Sequence, residues 1–160
     1  MSKLTHIDDT GRAAMVDVSG KKVTTREAIA SGQVTCAPQT LALVKAGQTK
    51  KGDVVSVSEL AGIMGAKQTS ALIPLCHPLP LSKINVRIEI NDDLPGFDIS
   101  AQTKTQGQTG VEMEALTAVS VACLTLYDML KAADKHMVIG EIKLIKKTGG
   151  KSGEWTRNDV

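Results

Sequence analysis

Two periods of apolar and polar residues run through this chain, and the longest stretch that keeps the helical one is Gln108 to Ala132, QTGVEMEALTAVSVACLTLYDMLKA. Thr109 and Glu112 have the spacing of a capping box, and Glu112 and Glu114 stand in the first turn, where the helix dipole favours anions. From Leu116 to Leu130 nearly every side is apolar, so the pattern predicts a buried helix. Its polar exceptions are ordered: at about 100° per residue, Glu114, Thr117, Ser120, Thr125, Asp128 and Lys131 fall in one stripe roughly 140° wide, with Glu112 on the other side.

Strand-like alternation marks residues 83–90, KINVRIEI, with Ile84, Val86, Ile88 and Ile90 inward and Asn85, Arg87 and Glu89 outward. NDDLPG is a turn, and residues 97–108 return as a second strand that leads into the long helix. Residues 25–36 read as a strand with Gly32 a candidate bulge, although REAIA alone would also suit a helix, and Met137 to Lys146 reads as a last strand. Pro38 opens a short helix that Gly47 ends, and a further helix is expected from about Asp53 to Leu72, with Ser56 or Ser58 as alternative caps. After the second of these, LIPLCHPLPLSK is kept extended by Pro74, Pro78 and Pro80 and presents His77 on a stiff segment. This order predicts an α+β, ferredoxin-like split βαβ fold, an antiparallel sheet with helices packed on one face. A single domain over residues 1–160 is expected, with residues 1–24 a loose arm holding a short strand at Met15 to Val18. Residues 148–160 are expected to form a mobile, glycine-rich tail.

The polar stripe has a structural reading: Glu112 caps, Glu114 answers the dipole, and Asp128 with Lys131 is an i,i+3 ion pair. Against it, a carboxylate and an ammonium flanked by Leu126, Tyr127, Met129 and Leu130 are expected to be partly desolvated, and such a pair brings little stability. Function would explain them. Glu114 and Asp128 are fourteen positions apart, so about 21 Å of helix rise separates them. A compact site that uses both ends needs a second copy of the chain, or a long substrate.

With 160 residues, 42% of them hydrophobic, the chain can bury a core without disulfides or a metal. One Phe, one Tyr and one Trp leave few rings on which to stack bases, so nucleic-acid binding is not expected. A formal charge of +2 is too small to wrap a nucleic acid, yet lysines cluster at Lys21-Lys22, Lys50-Lys51 and Lys146-Lys147, an arrangement that suits a small polyanion. Three cysteines without short spacing indicate neither a disulfide framework nor a zinc site and point to a reducing, cytoplasmic setting. Cys76 and His77 are adjacent and point to opposite sides of an extended chain, so no metal site is expected there. No apolar run is long enough for a membrane span. Gly-Gly-Lys-Ser in the tail is not a P-loop, because Ile145 stands where that motif needs glycine and nothing helical follows.

Taken in order and spacing, KKGDV, LIPLCHPLPLSK, TGVEMEALTA, LYDMLKAADK and KTGGKSG resemble the C-protein family of molybdenum-cofactor biosynthesis, the cyclic pyranopterin monophosphate synthases; LTHID and MVDVS look like the family's opening. The resemblance implies an enzyme that rearranges 3′,8-cyclo-7,8-dihydro-GTP, a purine-nucleotide-derived small molecule, to cyclic pyranopterin monophosphate with release of diphosphate. It also implies a homohexamer, a trimer of dimers with sites at a subunit interface. By position, Asp128 is similar to the catalytic acid/base, and Lys51 and Lys131 to the essential lysines. Leu75, Cys76, His77, Glu112, Met113 and Glu114 match substrate-contacting segments, and Arg26, Lys67 and Lys147 match basic residues around the site. No cofactor is implied, with Mg²⁺ assistance to diphosphate release left open. One departure is Gln108, where the family more often carries a basic residue, so one implied phosphate contact has no cation here.

The set makes chemical sense by itself. Opening a five-membered ring and closing a new one are proton transfers, which a carboxylate beside two lysines can serve. Closing a cyclic phosphate and expelling diphosphate calls for charge neutralisation by cations. Glutamates suit the N–H groups of a guanine-derived ring. Two other functions compete: a non-catalytic nucleotide-triphosphate sensor with the same lysines, and an RNA-binding ferredoxin-like module, which lacks the sheet aromatics.

Overall fold

The order of elements in the structure, a computed structural model describing residues 5–158, is β1 (Thr24–Thr35), α1 (Pro38–Lys45), α2 (Val54–Lys67), α3 (Thr69–Leu72), β2 (Leu81–Asn91), β3 (Gly96–Gly107), α4 (Glu112–Leu130), β4 (Val138–Thr148) and β5 (Trp155–Thr156). The strands form one antiparallel sheet in the order β2-β3-β1-β4-β5. The α+β architecture expected from the sequence is present, with α2 and α4 over one face.

Alternation decides which face is covered. Ala28, Ala30 and Val34 of β1 and Phe97, Ile99 and Ala101 of β3 are buried, and they meet the buried Ala115, Ala118, Val119, Ala122 and Leu126 of α4. On β2, Val86 and Ile88 are buried as expected, whereas Ile90, predicted inward, is 39% exposed. α4 is long and apolar enough to cross a membrane by composition, yet half of that stretch is buried inside the fold. Two glycines let α2 lie close on it: a Cβ added at Gly65 would sit 2.7 Å from Val121 Cγ2, and one at Gly62 would sit 2.9 Å from the Ala118 carbonyl. Gly32 does fall at a register shift in the β1–β4 pairing, and a Cβ there would sit 2.7 Å from Val119 Cγ1. The partner strand answers with Glu141 at φ +53°, a left-handed conformation that glutamate rarely adopts.

Several local expectations are corrected. α4 starts after Val111 with no side-chain cap, so Thr109 and Glu112 do not form a capping box; Glu112 pairs with Lys147 instead. α2 is capped by Asp53, whose Oδ1 accepts from the Ser56 amide at 3.0 Å, and it ends at Lys67 before the separate turn of α3. Residues 15–18 form no strand; among the arm's described residues, an isolated bridge joins Ile7 and Ala13. In the tail, Trp155–Thr156 pairs with β4, and the Arg157 amide donates to the Ile145 carbonyl at 2.8 Å. After α4 the chain is held by Asp134, a buried carboxylate that accepts from the Ala37 and His136 amides and the Thr40 hydroxyl.

Candidate functional site

The proline-braced segment, the start of α4 and the N-terminal arm enclose a cavity of about 300 Å³. Leu75, Cys76 and His77 form one wall, Glu112, Met113 and Glu114 another, and Val16 with Val18 the lid. His77 Nε2 donates to the Val16 carbonyl at 2.8 Å, which fixes the neutral ring's proton on that nitrogen and ties the arm down. Glu114 is 4% exposed. Burial pushes its carboxyl up to about 7, and the neighbouring charge of Glu112 adds to the rise. Burial also raises the Cys76 thiol, and the Glu114 charge raises it further, so this cysteine is held as a thiol and not as a nucleophilic thiolate.

A second cavity of about 920 Å³ adjoins the first, sharing Lys21, Thr109, Gly110 and Glu112 with it. Its walls carry Lys22, Arg26, Lys147 and Lys151 besides Lys21. Lys147 Nζ lies 2.7 Å from Glu112 Oε1, with both side chains about three-quarters buried. Arg26 Nε donates to the Gly107 carbonyl at 3.2 Å, and Gly150, at φ +75°, lies so close that a Cβ there would strike the guanidinium. The left-handed φ at Gly150 is what calls for glycine where the tail passes over Arg26.

The remaining group lies at the other end of α4. Asp128 Oδ1 is 2.8 Å from Lys131 Nζ, and its Oδ2 is 3.2 Å from Lys51 Nζ. Lys51 is delivered by the KKGD turn, in which Gly52 takes φ +80° and the Thr49 hydroxyl donates to the Gly52 carbonyl, immediately before the Asp53 cap. The Lys131 and Lys51 ammoniums hold the Asp128 carboxyl below the usual carboxylate range, and Asp128 in turn raises Lys131. The expected desolvation is absent from the single chain: the side chains of Asp128 and Lys131 are 57% and 54% exposed. Elsewhere in the polar stripe, the Ser120 and Thr125 hydroxyls each donate to the carbonyl four residues back on α4.

Single-chain geometry therefore divides the predicted residues. Leu75, Cys76, His77, Glu112, Met113 and Glu114 come together with Arg26 and Lys147 at the start of α4, whereas Lys51, Asp128 and Lys131 meet at its end. α2 runs antiparallel to α4, since Lys51 before α2 meets Asp128 while Gly62 and Gly65 meet Ala118 and Val121. Exposed Lys67 accordingly ends α2 on the Glu112 side. Sequence reasoning missed Val16, Val18 and Thr109 as cavity walls, because the arm has no periodicity; Lys21 was visible only as half of a basic pair. Among the described residues no group of three or more His, Cys, Asp or Glu side chains is placed to hold a metal ion.

A split-βαβ sheet with a carboxylate-lined cavity beside a basic one is the setting in which family membership can be read. The chain belongs to the MoaC family, which it matches over residues 15–150. It is 59% identical over 157 residues, 98% of its length, to the cyclic pyranopterin monophosphate synthases of Brucella ovis and Brucella abortus, covering 95% of each. The synthase of the same name from Brucella canis is 58% identical over the same span.

Proposed function

We propose that the chain is a cyclic pyranopterin monophosphate synthase of molybdenum-cofactor biosynthesis, a lyase that converts 3′,8-cyclo-7,8-dihydro-GTP into cyclic pyranopterin monophosphate and diphosphate. The observation that carries this reading is the pair of adjoining cavities, one small and carboxylate-lined, the other large and basic. A purine-derived ring fits the first, where Glu112 and Glu114 accept from its N–H groups and Glu114, poised near 7, takes up or gives a proton. A triphosphate fits the second, where the cations balance the charge that grows on departing diphosphate as an internal hydroxyl oxygen bonds to the α-phosphorus. No resident cofactor enters this reading.

The acid/base group is Asp128 with Lys51 and Lys131, supplied by a neighbouring chain in a homodimer that assembles into a hexamer. Two features support a shared site. The start and end of α4 are too far apart for one reaction centre, about 21 Å from Glu114 to Asp128. The outward face of the helix pair around the trio is apolar, with Val57, Leu60, Met64 and Leu124 all exposed. Covering that face would remove water from Asp128 and give the trio the low-dielectric setting that proton transfer requires. Cys36, Cys76 and Cys123 are unpaired, which fits a cytoplasmic enzyme.

The test is turnover of the cyclised substrate by the purified chain, followed by diphosphate release and product formation. Saturable binding without diphosphate release would replace the synthase with the nucleotide sensor.

A further inference from the structure

Gln108 stands where the resemblance implies a basic residue, and its side chain is engaged in a way that the sequence did not indicate. It stands between β3 and α4, where Nε2 donates to the carbonyl of Lys21 at 3.0 Å and that of Ser19 at 3.2 Å. The turn it grips is already closed on itself: the Lys21 amide donates to the Val18 carbonyl, and the Ser19 amide to Asp17 Oδ1, both at 2.9 Å. On the other side of the same short stretch His77 holds Val16. The arm is therefore fastened twice, by His77 beside the small cavity and by Gln108 beside the basic one. The residues between the two fasteners, Val16, Val18 and Lys21, are ones that wall the small cavity, and Lys21 borders both.

We propose that Gln108 is a positioning residue that pins the Ser19–Lys21 turn, holding Lys21 at the junction of the two cavities without contributing charge of its own. The assignment of those cavities to ring and phosphates rests on the function proposed above; the pin itself does not. A primary amide has two N–H groups on one nitrogen and can serve both carbonyls at once, which a carboxylate or a methyl group cannot do. An ammonium can. Loss of two neutral hydrogen bonds should loosen the arm without unfolding the sheet behind it.

The experiment uses the full-length protein and three variants, Gln108→Ala, Gln108→Glu and Gln108→Lys. The first reading is native-state cleavage by trypsin after Lys21 and Lys22, identified by fragment mass, with no substrate present. Cleavage should accelerate about tenfold in Gln108→Ala and Gln108→Glu and return towards the wild-type rate in Gln108→Lys. The second reading is steady-state turnover, in which KM for the cyclised substrate should rise about tenfold in Gln108→Ala while kcat moves by less than about twofold. Wild-type cleavage rates in Gln108→Ala would overturn the proposal, even with a raised KM, since Gln108 would then act on the substrate directly. Faster cleavage with unchanged KM would equally overturn it, because the pin would not position Lys21 for binding. If the wild-type protein turned over no substrate, the cavity assignment would fall, while the trypsin rates would still decide whether Gln108 pins the arm.

Discussion

Lys51 Nζ sits 2.9 Å from the main-chain carbonyl of Asp128 and 3.2 Å from its carboxylate, so one ammonium holds both the last turn of α4 and the acid that turn carries. The contact joins residues 77 positions apart, and with Lys131 it makes a two-lysine clamp on a carboxylate left half in water. Exposed pairs of this kind add little stability, roughly 0–1 kcal/mol. Asp128→Asn, Lys51→Ala and Lys131→Ala should each lower kcat by at least about a hundredfold while melting within a few degrees of wild type. Rates and melting curves on the same preparations check this. An Asp128→Asn protein within about tenfold of wild type, a barrier difference of only ~1.4 kcal/mol, would make the pair structural.

Mixing inactive Glu114→Ala and Asp128→Ala proteins should restore activity. In a two-fold dimer one mixed site collects both defects and the other receives neither, so up to about a quarter of sites are intact after random exchange of equal amounts. Activity is measured after exchange has been verified by mass. Exchanged oligomers without activity would place every catalytic residue on one chain.

Glu114 gives a stability signature with a defined sign. Its folded-state carboxyl is raised from 4.5 to about 7 by burial, so the folded protein holds this proton more tightly than the unfolded chain does. Stability from this group is fully present below about 4.5 and is lost as pH climbs through about 7. The full loss corresponds to about 3 kcal/mol at 1.36 kcal/mol per tenfold change in proton affinity. Glu112, Cys76 and His77 face the same cavity and are present in both proteins. Glu114→Gln, neutral at every pH, should therefore melt roughly 6–12 °C above wild type at pH 8 and much closer to it at pH 5. Equal melting differences at the two pH values would show that Glu114 is solvated in the assembled protein.

Glu141→Gly should stabilise the protein. Glutamate at φ +53° carries a left-handed penalty of about 1–2 kcal/mol, partly offset by the greater entropy that glycine loses on folding. The net expectation is a gain of about 0.5–1 kcal/mol, or roughly 2 °C in melting temperature, with kcat unaffected. A lower melting temperature would mean that the Lys143–Glu141 pair outweighs the backbone strain.

Strands and the long helix were legible because each carries its own period: Val86 and Ile88 alternate with Arg87, and Ala115, Ala118, Ala122 and Leu126 trace one face of α4. The Asp128–Lys131 pair was legible for the same reason, being one turn of helix. What escaped depends on competition over distance. Thr109 and Glu112 have the local spacing of a cap, but Lys147, 35 positions away, takes the Glu112 carboxylate in a largely buried ion pair, and a charge-assisted bond outweighs a neutral cap. The docking of the arm escaped for a different reason. Gln108 and His77 grip main-chain carbonyls of residues 16, 19 and 21, and a carbonyl looks the same on every residue.

The antiparallel contact of α2 with α4 at Gly62 and Gly65 leaves no room to slide, so α4 serves as a measuring rod between Glu114 and Asp128. Insertion of one residue between them would advance Asp128 by about 1.5 Å and swing it by about 100° around the rod. No nearby loop could absorb the error, because the same turns of helix are locked against α2 on one side and the sheet on the other. The spacing from Glu114 to Asp128 is thus a fixed length in this protein, and natural variation in its size should be confined to the turn around residues 92–95 and to the two chain ends.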